Sequence, residues 1–377
     1  MQRRWKRGLR LAVAMAPLLG IACGDFYGGA KAEASACKRV KLIDGETGEP
    51  VIGAEDLAVD TESGQVYLSA YDRWALEDAV SGDAAELPQG AIYAAPLRSL
   101  RRKPERLPLR RLAGGSGPDF HPHGIALHRS GDTARLFAIN HAYERTVGAW
   151  ERHTRLDTFD ITQDGLKRRQ SIEHERLCRA NNLTALSDLD VLITRDHGAC
   201  GRLGRWMEDV FGLDRGQVVL ASWTEGGDAT VETVVDGLSY ANGIALAPNG
   251  TTLAVATTRG EAIRFYDIAR LLGSDGPAHL TSIEVDGGPD NIAWDAEGRL
   301  IAAVHPSLFS AGLARQRWFG HRRAGSRVIA AEPGSGQVQT LLHDSEGRLL
   351  NAATAATLHE DTLVVSAVLD DALMVCN

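Results

Sequence analysis

No stretch of this sequence is long enough to cross a bilayer as a helix. The longest apolar run, Leu11–Ala22, holds twelve residues, where about 20 are needed. Basic charge is also short: 41 Lys and Arg stand against 49 Asp and Glu, which disfavours nucleic acid and anionic membrane as partners and suits cations. Signatures of common catalytic chemistries are missing. There is no HExxH and no P-loop, Gly114-Gly-Ser-Gly-Pro leads into no helical pattern, and the nearest GxSxG, Gly237-Leu-Ser-Tyr-Ala, ends in Ala. Covalent serine chemistry and nucleotide binding are therefore disfavoured. Helical periodicity is lacking too, apart from a weak pattern around Arg205–Gly212. What remains, 44% apolar and 24% charged in 377 residues, is ordinary globular composition with ample chain for a core.

The first residues read as a secretion signal over 1–22. Five basic residues and no acidic one precede the short apolar run, and their removal takes the net charge from −8 to −13. Cys23 follows Gly20-Ile-Ala, which lacks the Leu usual three positions before a lipoprotein cysteine. Plain cleavage is the first expectation and acylation of Cys23 the second, and acylation would be the one tie to a membrane. The protein is expected to be exported: periplasmic, secreted or anchored to the envelope. In an oxidising compartment the four remaining cysteines can pair. Cys37 and Cys376 would tie the two ends of the chain, and Cys178 and Cys200 are spaced for neighbouring strands; free buried thiols are the alternative.

Six segments resemble one another: EDLAVD at Glu55, HGIALH at His123, NLTALS at Asn182, NGIALA at Asn242, DNIAWD at Asp290 and AATAAT at Ala352. Most continue through a turn into a second apolar run, as in Ala247-Pro-Asn-Gly-Thr-Thr-Leu-Ala-Val-Ala, which is hairpin chemistry. Six such units, each long enough for four strands, predict an all-β, six-bladed β-propeller closed near its termini by a disulfide. The expected organisation is a signal at 1–22, a linker at 23–36 and a single propeller domain over 37–377. A pair of β-sandwiches is the plainer alternative.

Innermost strands of a propeller converge on the central tunnel, so the polar heads of these units would meet there. An oxygen-only set of Asp, Glu and Asn favours Ca²⁺ over Zn²⁺, although Asn and Asp at strand starts often merely cap turns.

The chain also resembles the serum paraoxonase/arylesterase family of calcium-dependent lactonases. Gly53-Ala-Glu-Asp-Leu is similar to the family's G-S-E-D-L, Phe120-His-Pro-His-Gly-Ile to F-N-P-H-G-I, and Ile139-Asn-His to V-N-H. Ala180-Asn-Asn-Leu with Asp196-His197, Tyr240-Ala-Asn-Gly-Ile, Pro289-Asp-Asn-Ile and Val304-His-Pro follow in the family's order, and Cys37 and Cys376 stand where it has its terminal disulfide. The resemblance implies a catalytic Ca²⁺ held by Glu55, Asn181, Asn242, Asp290 and Asn291. It implies a second, structural Ca²⁺ at Asp56, the carbonyl of Ile125 and Asn182; the family has Asp at that last position, and Asn removes a charge. His123 and His141 match the histidine pair that deprotonates water, with Asp290 a competing base and with His305 and Asp196 orienting neighbours.

The expected activity is hydrolysis of small-molecule lactones, with aryl and phosphate esters as side substrates. Specificity is expected in loops carrying Tyr71, Trp74, Tyr240, Trp318 and Phe319. A gluconolactonase-like sugar lactonase and a non-catalytic, calcium-stabilised binding propeller are the alternatives. The basic clusters at Arg98–Arg111 and Arg315–Arg323 read as solvated loop faces.

Overall fold

Short alternating runs separated by Gly-containing turns fold throughout as antiparallel hairpins. The computed structural model describes residues 37–114, 119–273 and 279–377; the expected signal, Cys23 and the linker to residue 36 lie outside the described residues. After β1 (Cys37–Asp44) the strands come in five groups of four and a last group of three, which β1 completes. The first group is β2 (Ala54–Asp60), β3 (Gln65–Ala70), β4 (Ala91–Pro96) and β5 (Arg106–Gly114). The second is β6 (Pro122–Ser130), β7 (Thr133–Thr146), β8 (Ala149–Thr162) and β9 (Gly165–Glu173). The third is β10 (Ala180–Ala185), β11 (Asp190–Arg195), β12 (Gly216–Trp223) and β13 (Ala229–Leu238), and the fourth β14 (Ala241–Leu246), β15 (Thr252–Thr257), β16 (Ala262–Asp267) and β17 (His279–Glu284). Then come β18 (Gly288–Trp294), β19 (Leu300–His305), β20 (Ser326–Glu332) and β21 (Gln337–Asp344), and finally β22 (Ala353–His359), β23 (Thr362–Ala367) and β24 (Ala372–Cys376). Gly250, in the β14–β15 turn, sits at φ +71°, a conformation that costs glycine little.

The fold is all-β and propeller-like, with one correction to the expected six separate blades. β6–β21 make four four-stranded sheets, while the first and last groups merge into one eight-stranded sheet, β2-β3-β4-β5-β1-β24-β23-β22. The cause is local: Lys41–Asp44 of β1 pair in parallel with Arg106–Leu109 of β5, joining two outer edges. The first strands of the groups still form a ring, β2, β6, β10, β14, β18 and β22 each packing on the next and β22 returning to β2. Apolar clusters fill the spaces between successive groups, such as Phe137, Ile139 and Leu156 against Leu183, Val191 and Val219. Between the last group and the first, Leu373 and Val375 meet Val40, Leu42, Val66 and Leu68. Each fully buried side chain of this kind contributes about 1.5–3 kcal/mol. Cys37 lies directly opposite Cys376 on the β1–β24 ladder and is bonded to it. Cys178 and Cys200 are bonded too, flanking β10 and β11.

Among the described residues five α-helices interrupt the strands: α1 (Arg73–Ser81), α2 (Leu97–Arg101), α3 (Arg202–Phe211), α4 (Ile268–Leu272) and α5 (Leu308–Gln316). Only the region of α3 showed in the sequence, because the others run nine residues or fewer, too short for a periodic stripe. α1, α3 and α5 each follow the second strand of a group, and the long β7–β8 hairpin extends at the corresponding point. Antiparallel pairing puts all four at the end of the ring where the first strands begin. Among the described residues no helix is long and apolar enough to cross a membrane.

Candidate active site

Every first strand breaks register against its neighbour near its start. The breaks fall at Ala54/Asp56, Pro122/Ile125, Ala180/Leu183, Ala241/Ile244, Pro289/Ile292 and Ala353/Ala355. Residues inside such a bulge lose their ladder partner and their side chains are re-aimed. They are Glu55, His123-Gly124, Asn181-Asn182, Asn242-Gly243, Asp290-Asn291 and Thr354, and every polar one is buried. One unit head needs correction: in the third unit Asn181, not Asn182, aligns with Asn242 and Asp290. The last unit showed no polar head in the sequence, and Thr354 takes that place, Ala352 lying outside the strand at φ +59°. Thr354 was missed because Ala-rich text hides the register that strand pairing reveals.

Gly124 and Gly243 are not turn glycines. A Cβ on Gly243 would lie 2.4 Å from the Asp290 carbonyl oxygen, and one on Gly124 would lie 2.7 Å from that of Asn181. Their bareness lets each first strand press against the next group's ligand-bearing bulge.

Cross-links then tie the bulges together. Thr354 Oγ1 donates to the Glu55 carbonyl at 2.7 Å, and Asn291 Nδ2 to the same oxygen at 3.3 Å. Asn242 Nδ2 donates to Thr258 Oγ1 at 3.2 Å, whose hydroxyl donates to the Pro289 carbonyl at 2.8 Å. Asp290 Oδ2 is held at 2.9 Å by His305 Nε2. Arg73, which no sequence pattern signalled, donates from Nη2 to Glu55 Oε2 at 2.6 Å and faces His123 Nδ1 at 3.1 Å. Since a guanidinium only donates, this contact makes Nδ1 the acceptor and leaves the His123 proton on Nε2. His141, its ring centroid 4.7 Å from that of His123, points Nε2 at the Ala180 carbonyl 3.0 Å away, which leaves Nδ1 bare.

Electrostatics follow from burial. Desolvation, then Arg73, depresses the His123 pKa well below its ordinary range; desolvation, then Arg152, does the same to His141. Both are neutral at pH 7. Burial raises Glu55, against the pull of Arg73, and pushes Asp56 up to about 7. Burial opposes the Arg73 cation, yet Glu55 outweighs it and the Arg73 pKa rises.

Among the described residues no three His, Cys, Asp or Glu side chains cluster as a metal site, because this donor set is carboxamides with two carboxylates. It nevertheless fits a hard cation. Asn242 Oδ1 is buried with no hydrogen-bond partner, a costly state that a cation would relieve. The set expected for the second calcium does not fit one. Asn182 turns its Nδ2 toward Asp56 Oδ2, at 3.3 Å, and toward Asn291 Oδ1, while its own Oδ1 accepts from Leu183 N at 2.6 Å. Asp56 Oδ2 is further held by Ile125 N at 2.9 Å. An amide N–H thus occupies the cation's place.

Around the mouth, Tyr71 is buried and edge-on to His121, and Tyr240 is edge-on to His197. Trp74 donates to the Arg315 carbonyl and is covered by Arg317 and Arg322. Trp318 and Phe319 stand out in solvent, 59% and 92% exposed. Arg315 belongs to this region rather than to a solvated loop face: it pairs with Glu77 at 2.9 Å and its charge reaches Glu55 and His123. Asp196 is held bidentately by Arg179, at 2.9 and 2.7 Å, and by His197 Nδ1 at 2.7 Å.

A family model described as Arylesterase matches residues 86–377, a span that leaves Glu55 and Arg73 outside it. Serum paraoxonase/arylesterase 2 of Canis lupus familiaris is 27% identical over 213 residues, covering 55% of this chain and 55% of that protein; the chain thus spans little more than half of the relative's length. Serum paraoxonase/lactonase 3 of Homo sapiens is 24% identical over 300 residues, 77% of this chain and 78% of that one. Among solved structures, a luciferin-regenerating enzyme superposes with a TM-score of 0.51 at 14% identity, over 87% of this chain and 92% of the other, a likeness of fold.

Proposed function

The chain belongs to the arylesterase family, and from that premise we propose that it is a calcium-dependent hydrolase of lactones, with aryl esters and phosphotriesters as side substrates. The observation that carries this reading is the unpartnered Asn242 Oδ1 in a buried ring of oxygen donors, beside two neutral histidines. One Ca²⁺ held by Glu55, Asn181, Asn242, Asp290 and Asn291 would polarise the substrate carbonyl and stabilise charge developing on its oxygen. The chain's own residues do the rest. His141 keeps Nδ1 free to accept the proton of the attacking water because its Nε2 faces a carbonyl, while His123, protonated on Nε2, orients that water as a donor. His305 fixes the Asp290 carboxylate, and Arg73 fixes Glu55. Asn182 stands in for a second ion. The eight-stranded sheet reads as two blades joined edge to edge, six in all, with residues 37–377 one domain. Two disulfides suit an exported protein.

The test is a lactone panel with titrated calcium. Turnover is expected to vanish on chelation with EGTA and to return with Ca²⁺ but not Zn²⁺; activity that survives EGTA would overturn the mechanism. His123→Gln should lower kcat by about 100-fold or more with calcium affinity nearly intact. If Asp290→Asn alone abolishes turnover while calcium stays bound, Asp290 is the base. Calcium-dependent melting with no turnover of any lactone would make the protein a binding module, and a preference for hydrophilic over alkyl-chain lactones a sugar lactonase.

A further inference from the structure

The mouth beside the histidine pair carries more positive charge than its carboxylates balance. β7 and β8 have 14 residues each, and their hairpin packs Tyr143 and Trp150 with Tyr71 and Leu76, over α1. Strand pairing sets His141 opposite Thr154 and Tyr143 opposite Arg152, so alternation puts His141, Tyr143 and Arg152 on one face. Arg152 is half-buried there. Among the described residues its guanidinium makes no hydrogen bond and no ion pair, and its strongest charged neighbour is another cation, Arg179. Arg179 has its own partner in Asp196. Arg205 of α3 adds a third guanidinium, its Nε buried without a partner and its charge opposed by Arg179. Three cations thus share the one buried carboxylate of Asp196; Arg179 and Arg205 also feel Asp209, an exposed carboxylate already paired with His197 and Arg259. Burial, then Arg179, pushes the Arg152 pKa down to about 10, the sign of a cation short of a counter-ion. Guanidinium forks match a planar carboxylate, and the charge of Arg152 is felt by both His123 and His141, close to the reacting bond.

We propose that Arg152, Arg179 and Arg205 form a subsite for a carboxylate on the side arm of the substrate, so that this protein prefers anionic lactones or esters to neutral ones. The preference in turnover rests on the hydrolase reading above; the anion subsite does not. The test compares two γ-lactones of equal arm length, one ending in methyl and one in carboxylate, on the calcium-loaded protein. The carboxylate substrate should show a kcat/KM at least about tenfold higher at low ionic strength, held mainly in KM and shrinking in 0.5 M NaCl as screening rises. Arg152→Gln should raise KM for the charged substrate by about tenfold, against a much smaller change for the neutral one, and Arg152→Lys should restore part of the difference. A merely structural role would move both substrates alike. Equal kcat/KM for the two lactones on the native protein overturns the proposal. If neither lactone is turned over, calorimetry with glutarate separates the two failures. Binding that is lost in Arg152→Gln keeps the subsite and rejects the hydrolase; no binding to the native protein rejects the subsite.

Discussion

On the calcium reading proposed above, Asn182 sets the number of ions. Its amide N–H already joins Asp56 to Asn291, so calcium titration by calorimetry is expected to give one ion per chain. Asn182→Asp replaces that donor with a second anion beside Asp56, and should create a second site and a larger rise of Tm with calcium; one ion in both proteins would show that the amide was not the obstacle. His197 permits a test by pH. Burial lowers its pKa, but the carboxylates of Asp196 and Asp209 outweigh burial and raise it. A raised folded-state pKa means that this contribution is complete below the ordinary histidine value of about 6.5 and is lost as pH rises through the folded value. The Asp196 pKa is depressed, against burial, by Arg179 and then His197, so its contribution disappears only in acid, while Asp56, at about 7, titrates in the window but does so alike in the native protein and the His197 variant. Between pH 6 and 9 the native protein should lose stability that His197→Gln lacks throughout, about 1–3 kcal/mol at pH 6 for a charged hydrogen bond. Parallel Tm curves for the two proteins would refute it.

At the level of the element, α3 is amphipathic with its sides reversed. Leu203, Trp206, Met207, Val210 and Phe211 are exposed, while Glu208 is buried and accepts from Gly198 N at 3.1 Å and Ala199 N at 2.8 Å. Glu208→Ala leaves two amides without partners and should cost about 1–3 kcal/mol in urea unfolding, whereas Trp206→Ser should stay within about 0.5 kcal/mol; the reverse order would show that the apolar side is covered. Gly243→Ala makes a second test. Its Cβ has no room before the Asp290 carbonyl, so a loss of about 1–3 kcal/mol from overpacking should come with weaker calcium binding, because the strand displaced carries Asp290. These cases also show what the sequence could display. Asn242-Gly243 was legible as a unit head, since polar heads recur at one place in the repeat. The reason for Gly243 was not, because it lies in a neighbouring strand some fifty residues away. Arg73, Arg152 and Arg205 were illegible for the same reason: each stands alone in local sequence, and only ring geometry brings it to the mouth.

For the whole molecule, a ring must close, and the sequence displayed that closure well: cysteines near both ends predicted the bond that the structure has between Cys37 and Cys376. The merging of two strand groups was hidden, because β1 pairs in parallel with β5 through backbone groups that any residues supply. Closure therefore has three parts: the disulfide, the β1–β24 ladder, and the apolar seam of Leu373 and Val375 against Val40, Leu42 and Leu68. They need not weigh equally. In the chain-entropy model a bond spanning 339 residues removes about 5–6 kcal/mol of unfolded-chain freedom, an upper value, while a few buried aliphatic side chains at about 1.5–3 kcal/mol each supply as much again. The Cys37→Ser, Cys376→Ser double variant is accordingly expected to keep its fold and its calcium site, but to unfold at lower denaturant by up to about 5 kcal/mol. Val375→Asp, which buries an unpaired charge in the seam, should open the ring even with the disulfide formed, and calcium affinity should fall with it, because Glu55 and Thr354 stand on opposite sides of that seam. If removing the disulfide alone abolishes calcium binding while Val375→Asp leaves it intact, the covalent bond rather than packing holds the ring.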